Sequence, residues 1–263
     1  MSALHDLKDK DLSAEGLMIL EGRIVVEKAI QCGIPILLAV ISEESDASWL
    51  EKALRSRPQA SDDLSMPIER LSHAEICDLV GYRFHHGAVA VARRPRLKTC
   101  DFLDGQETSD SQALPEKSLC LWNITDPSNI GALIRTAAGL GLDAVYLGPG
   151  CADPYYRKAL RASMGNAFSI SLYSADESIC VKLGKRGCRA IAATLTPGAT
   201  PLDRFVVEGP SVLVLGNEGF GIPREVIALC DDEVYIPMKE GVDSLNVAVA
   251  GAILMYGLYK EGR

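Results

Sequence analysis

The chain has 263 residues, 48% hydrophobic and 24% charged, a composition that predicts a packed core, excludes disorder and leaves room for two domains. A net charge of −8 excludes a protein that holds nucleic acid by bulk positive charge, so any polyanion contact must use local basic patches. No apolar run reaches the roughly 18–20 residues that span a membrane, and Met1 to Lys10 carries no secretory apolar region, so a cytoplasmic protein with no membrane partner is expected.

The acidity sits mainly in residues 1–110, which hold 13 Lys and Arg against 19 Asp and Glu. Basic clusters survive at Arg93, Arg94, Arg96 and Lys98, at Arg157, Lys158 and Arg161, and at Lys182, Lys185, Arg186 and Arg189. The eight cysteines form no CxxC pair and no His lies at a zinc-finger spacing, so no metal is expected. Most thiols sit in apolar stretches and read as small buried hydrophobes.

In chain order, apolar Leu17, Leu20, Ile24 and Ala29 suit a helix over 15–31 that Gly33 closes. Residues 34–41 read as a buried strand, and 46–55 as a helix opened by Asp46. A short strand follows at 66–69. Ser72-His-Ala-Glu75 fits a capping box, and 88–92 is a strand. Residues 96–117, rich in Pro, Gly and polar side chains, read as a linker with a short helix near Cys100. Strands are then expected at 119–124, 144–148, 168–172, 189–194, 211–216 and 233–237. Helices are expected at 129–140, 154–164, 175–185, 223–229 and 244–259. Strands separated by helices imply a mostly parallel α/β sheet.

Three loops at strand ends gather polar residues, where open α/β sheets bind ligands. In the first, Ser128 or Asn129 suits a helix cap. Arg135 lies six residues after Asn129, about 600° around the helix, and needs an anion or carbonyl partner if buried. The second, Gly216-Asn-Glu-Gly-Phe-Gly221, is neither GxGxxG nor a Walker loop. It is expected to expose backbone amides and carbonyls to a flat polar group, with Glu218 at its centre. In the third, Ser244 or Asp243 is expected to cap the last helix, with Leu245, Ala248 and Ala252 as a tight packing face.

At these residues the chain resembles the SpoU/TrmH family of RNA ribose 2′-O-methyltransferases, within the SPOUT superfamily. The first motif reads Asp126-Pro-x-Asn129-x-Gly131-x-x-x-Arg135-Thr-Ala137. The second is Leu215-Gly-Asn-Glu218-Gly-x-Gly-Ile-Pro. The third is Ile236-Pro-Met-x-x-x-x-x-Ser244-Leu-Asn246-Val-Ala-Val-Ala. Residues 1–95 resemble the family's L30e-like α/β substrate-binding domain through Glu21-Gly-Arg-Ile-Val-Val-Glu-Lys-Ala and Phe84-His-His-Gly-Ala-Val-Ala, with His85-His86 in place of the more usual His-Gln.

The resemblance implies a trefoil-knotted methyltransferase domain over 118–263, a homodimer, and S-adenosylmethionine as cofactor. It places that cofactor at Thr194, Leu195, Leu215, Gly216, Asn217, Gly219, Ile236, Pro237, Met238, Leu245 and Asn246. It makes Arg135 the residue at the ribose 2′-hydroxyl and adjacent phosphate. Asn129 and Glu218 would shape that site, and Ser244 and Asn246 would position Arg135, donor and nucleotide. Arg23, Arg157 and Arg161 are the expected RNA contacts. Ribosomal RNA is the expected substrate. The alternatives are transfer RNA and a knotted RNA-binding protein without turnover.

Overall fold

A computed structural model describes residues 9–56, 67–80, 87–104, 113–239, 241 and 244–259. The chain divides into two compact units, one of residues 1–96 and 154–169, the other of 97–153 and 170–263.

In chain order the first unit contains α1 (Asp9–Ala14), β1 (Leu17–Glu21), α2 (Arg23–Gln31), β2 (Ile36–Ser42), α3 (Ser48–Arg55), β3 (Ile68–Leu71), α4 (His73–Val80) and β4 (Ala88–Arg93). The strands form one sheet in the order β1-β4-β2-β3. The single helix expected over 15–31 is instead β1 followed by α2. Strand pairing overrides the helical pattern there: Leu17 to Glu21 run antiparallel to β4, from Leu17 opposite Arg93 to Glu21 opposite Val89. Gly22, at φ 90°, supplies the left-handed turn between strand and helix that a side chain resists. The capping box forms as expected: the Glu75 carboxylate accepts from the Ser72 amide at 2.9 Å, and the Ser72 hydroxyl accepts from the Glu75 amide at 3.3 Å. Phe84, His85 and His86 lie outside the described residues.

The later elements are β5 (Lys117–Leu121), α5 (Pro127–Gly139), β6 (Ala144–Leu147), α6 (Arg157–Ser163), β7 (Ser171–Ser174), α7 (Ile179–Lys185), β8 (Arg189–Ala193), β9 (Thr200–Pro201), β10 (Ser211–Leu215), α8 (Arg224–Ile227), β11 (Asp232–Tyr235) and α9 (Val247–Tyr259). Of these, α6 and its flanks cluster with the first unit, although the sequence reading placed them in the C-terminal domain. The strands form a seven-stranded sheet in the order β7-β6-β5-β10-β8-β11-β9, with every pairing parallel. The stretch read as a linker is partly packed: Lys98 pairs with Tyr173 of β7, and Cys100 and Leu103 are buried in the core of this unit. All eight cysteines are free, and four of them, Cys100, Cys120, Cys180 and Cys188, are buried. Burial pushes the Cys188 thiol up to about 12, which leaves it protonated and inert at neutral pH.

Helix α9 packs through Val247, Gly251, Leu254 and Leu258, not through the expected Leu245, Ala248 and Ala252 face. Gly251 is the close-approach point, because a Cβ there would lie 2.4 Å from Leu133 of α5 and 2.8 Å from Leu215 of β10. The opposite side exposes Val249, Ile253 and Tyr256, three apolar residues one turn apart.

Candidate functional site

The strand order of the second unit reverses between β5 and β10, so the carboxyl ends of these strands open a crevice of the kind that binds ligands in parallel sheets. Beside it lies a cavity of about 510 Å³, lined from the ends of β8, β10 and β11 and the start of α9. That volume is in the usual range for a small-molecule site. Of the residues expected to hold a cofactor, Thr194, Leu195, Leu215, Gly216, Asn217, Gly219, Ile236, Met238 and Leu245 line it. Pro237 and Asn246 are not in the lining. Ser244 and Glu218 are. Phe220, Ile222, Arg224 and Ile227 also line it and were not singled out from the sequence. The available signal was that Phe220 and Ile222 belong to the second motif and that Arg224 and Ile227 belong to α8, which follows it directly.

The glycine loop differs from its expected form. The Asn217 side-chain oxygen accepts from the amides of Gly219 at 2.8 Å and Phe220 at 3.2 Å, and the Asn217 carbonyl accepts from the Gly221 amide at 2.8 Å. Three of the loop's amides are therefore consumed inside it. Gly216 is compelled by packing, because a Cβ would lie 2.3 Å from the Gly221 backbone. Asn217 also donates through Nδ2 to the carbonyl of Asn123 at 3.0 Å, tying the loop after β10 to the loop after β5. Asn123 itself takes a positive φ of 55°, a conformation that Asn tolerates better than most residues.

The cap of α5 is Asp126, whose carboxylate accepts from the Ser128 amide at 3.0 Å, with Pro127 at the first helical position. Ser128 and Asn129 are thus not the cap. Asn129 is free to work sideways: its Nδ2 donates to Glu218 Oε1, and its Oδ1 accepts from Asn246 Nδ2 at 3.1 Å. Asn246 in turn caps α9, accepting from the Ala248 amide at 2.9 Å and the Val249 amide at 3.4 Å. The expected cap at Ser244 does not form, since the helix begins at Val247; Asp243 lies outside the described residues. One residue from each motif is joined in a single chain, Glu218–Asn129–Asn246. Arg135 is exposed on α5 and makes no hydrogen bond or ion pair among the described residues. Its exposure removes the need for a buried partner.

The three arginines expected at RNA stand in the first unit. Arg161 pairs with Glu21 at 2.7 Å and Arg157 with Glu21 at 3.4 Å; the Glu21 side chain is 1% exposed, against 42% for Arg161 and 25% for Arg157. Four residues apart on α6, the two cations share one helix face and supply the partners a buried carboxylate requires. Arg23 contacts Glu27 at 3.7 Å and lies over the Trp49 ring at 5.6 Å, with its side chain 58% exposed.

Among the described residues no group of three or more His, Cys, Asp and Glu is placed to hold a metal, and no helix is long and apolar enough to cross a membrane.

Comparison with known proteins agrees with this architecture. The chain is 30% identical over 257 residues to the 23S rRNA (guanosine(2553)-2′-O)-methyltransferase RlmP of Bacillus subtilis, covering 97% of this chain and 92% of that protein. It is 30% identical to an uncharacterized tRNA/rRNA methyltransferase of Mycobacterium bovis, over 95% of this chain and 83% of the relative. The AdoMet-bound rRNA methyltransferase of Sinorhizobium meliloti shares the fold, with a TM-score of 0.77 at 22% identity over 95% of this chain and 89% of that one. The model of the SpoU rRNA Methylase family matches residues 116–256, and with all three motifs meeting around one crevice the chain belongs to that family.

Proposed function

We propose that this protein transfers a methyl group from S-adenosylmethionine to a ribose 2′-hydroxyl of ribosomal RNA. The observation that carries the reading is the hydrogen-bonded chain Glu218–Asn129–Asn246 at the rim of the cavity, which joins the three motifs. The relative from Bacillus subtilis and the family's own description both name ribosomal RNA.

The cavity fits the cofactor. Its walls alternate apolar side chains with strand-end backbone, and Gly216 lets that backbone approach closely. Thr194, Leu195, Leu215, Gly216, Ile236, Met238 and Leu245 would hold it, and Glu218, the one acidic residue in the lining, would offer a carboxylate to a cationic donor. The cofactor supplies an electrophilic methyl group on a sulfonium. The protein must then orient the 2′-hydroxyl in line and assist the loss of its proton as the new O–C bond forms. Arg135 is a fixed positive charge, so we assign it to lowering the proton affinity of the 2′-oxygen and to holding the adjacent phosphate, which accepts the hydroxyl proton. Asn129, locked on both sides, orients the nucleotide, and Ser244 lies at the cavity wall to assist.

Residues 1–95 serve in this reading as the L30e-like substrate-binding domain, 96–117 as the connection, and 118–263 as the methyltransferase domain, of which residues 154–169 belong to the first compact unit. A trefoil knot in that last domain is proposed on the strength of the family match over residues 116–256. A homodimer is supported by the exposed apolar row Val249, Ile253 and Tyr256 on α9. Arg23, Arg157 and Arg161 are the proposed RNA contacts, and the cytoplasm the proposed location. The test is transfer of labelled methyl to ribosomal RNA, followed by alkaline hydrolysis. A 2′-O-methylated linkage resists cleavage and leaves one gap in the ladder. Label that enters RNA without such a gap assigns the methyl to a base and overturns the reading.

A further inference from the structure

Phe220 is 89% exposed, more than any other large apolar side chain among the described residues. A single exposed hydrophobe is ordinary on a protein surface, but this one is held differently. Its own amide is bound to the Asn217 side chain at 3.2 Å, and its neighbours Gly219 and Gly221 are bound to the same residue at 2.8 Å. Asn217 is anchored to the Asn123 carbonyl at 3.0 Å, and Gly216 sits hard against Gly221. The loop is a closed staple, so the ring is presented to solvent on a rigid base.

Its position is also specific. Phe220 lines the mouth of the cavity with Leu195, itself 62% exposed. It lies two residues after Glu218, which is bonded to Asn129. The reacting ribose, on the reading given above, must sit at that rim. A ribose cannot be placed there without bringing its base close by. Sequence-tolerant recognition of an unstacked base is what a rigid, exposed aromatic ring provides.

We propose that Phe220 is the stacking platform for a nucleobase unstacked from the RNA at the target site. The proposal rests on the methyltransferase reading of this site. It assigns to the second motif a substrate contact made by a side chain, beside the cofactor contacts expected of its backbone.

The experiment compares the wild-type protein with Phe220→Ala, Phe220→Leu and Phe220→Trp, measuring cofactor affinity by titration and methyl transfer to ribosomal RNA under subsaturating RNA. Phe220→Ala should lower kcat/KM for RNA about 5- to 150-fold. Phe220→Leu should fall close to Ala, since it keeps apolar area but no π face. Phe220→Trp should retain activity, and its added indole emission should be quenched by RNA. Cofactor affinity should stay within twofold throughout. Wild-type kcat/KM in the Ala variant overturns the proposal, as does equal activity in the Leu and Phe proteins. A loss of cofactor affinity in Ala instead makes the ring a lid on the donor, and a change in oligomeric mass makes it an interface residue; either result overturns it. Failure of the wild-type protein to methylate any ribosomal RNA overturns the functional reading itself, and this assignment with it.

Discussion

Arg135 stands a little over two turns into α5, exposed and without an ion-pair partner among the described residues, while Asn129 on the same helix is bonded on both sides. Arg135→Ala is therefore expected to remove methyl transfer without unfolding the helix, and to leave cofactor affinity within a few-fold. Turnover and cofactor titration on the same preparation check this, and near-normal turnover by the folded variant would remove Arg135 from the mechanism. At this scale much was legible. Asn129, Glu218 and Asn246 stand together, because polar residues at strand ends of a parallel sheet have one edge on which to meet. Legibility failed where a side chain serves its own loop. Asn217 reads as one more polar residue near a ligand, and nothing in Gly-Asn-Glu-Gly distinguishes an oxygen turned to a ligand from one turned to two amides of its own loop.

Helix ends carry the argument at the next scale. Asn246 has two duties, its oxygen capping α9 and its nitrogen donating to Asn129. Asn246→Asp keeps the oxygen and loses the donor, so it should hold stability near wild type while lowering turnover. Asn246→Ala loses both and should cost in addition about 1 kcal/mol of stability. If the two variants unfold alike, the capping role is wrong; if Asp turns over normally, the bond to Asn129 is dispensable. At the start of α4, the Ser72 hydroxyl and amide hold the Glu75 carboxyl below its ordinary 4.5. A depressed carboxyl stabilises the fold above its unfolded value, and that contribution is lost as pH falls through the lower folded value. Ser72→Ala should thus weaken the protein at neutral pH and flatten its loss of stability below pH 4.5, read from urea midpoints across the acid range. An unchanged acid slope would show that the box contributes nothing. The capping box was readable because Ser-x-x-Glu is a local pattern. The Asp126 cap was missed in favour of Ser128 or Asn129, all three being good caps. The strand β1 was missed because its partner β4 lies some 70 residues away in sequence, beyond the reach of any periodicity.

Over the whole molecule, the feature that sequence could not disclose is the membership of residues 154–169 in the first unit. Strand and helix patterns say what an element is and nothing about which core receives it. The consequence reaches the arginines proposed for RNA. Arg157 and Arg161 also neutralise the buried Glu21, so reversing their charge sets carboxylates against a carboxylate and lowers stability together with RNA affinity. Glu21→Gln separates the two effects. It leaves both cations in place and removes the carboxylate charge they face, which should cost roughly 1–3 kcal/mol, less than a fully buried pair because the arginines are partly solvated. RNA affinity should hold or rise at low salt, because the freed guanidinium groups add positive charge. A fall in RNA affinity in a protein still folded would show that Glu21 serves binding by fixing the geometry of the arginines.

The same pairing sets an order of events during synthesis. Glu21 meets Arg157 and Arg161 across 136 and 140 residues of chain. At a translation rate of about 5–20 residues per second, the glutamate leaves the ribosome roughly 7–30 s before either partner does. Throughout that interval the glutamate at the end of β1 lacks these two cations, which come from a helix encoded beyond β5, α5 and β6.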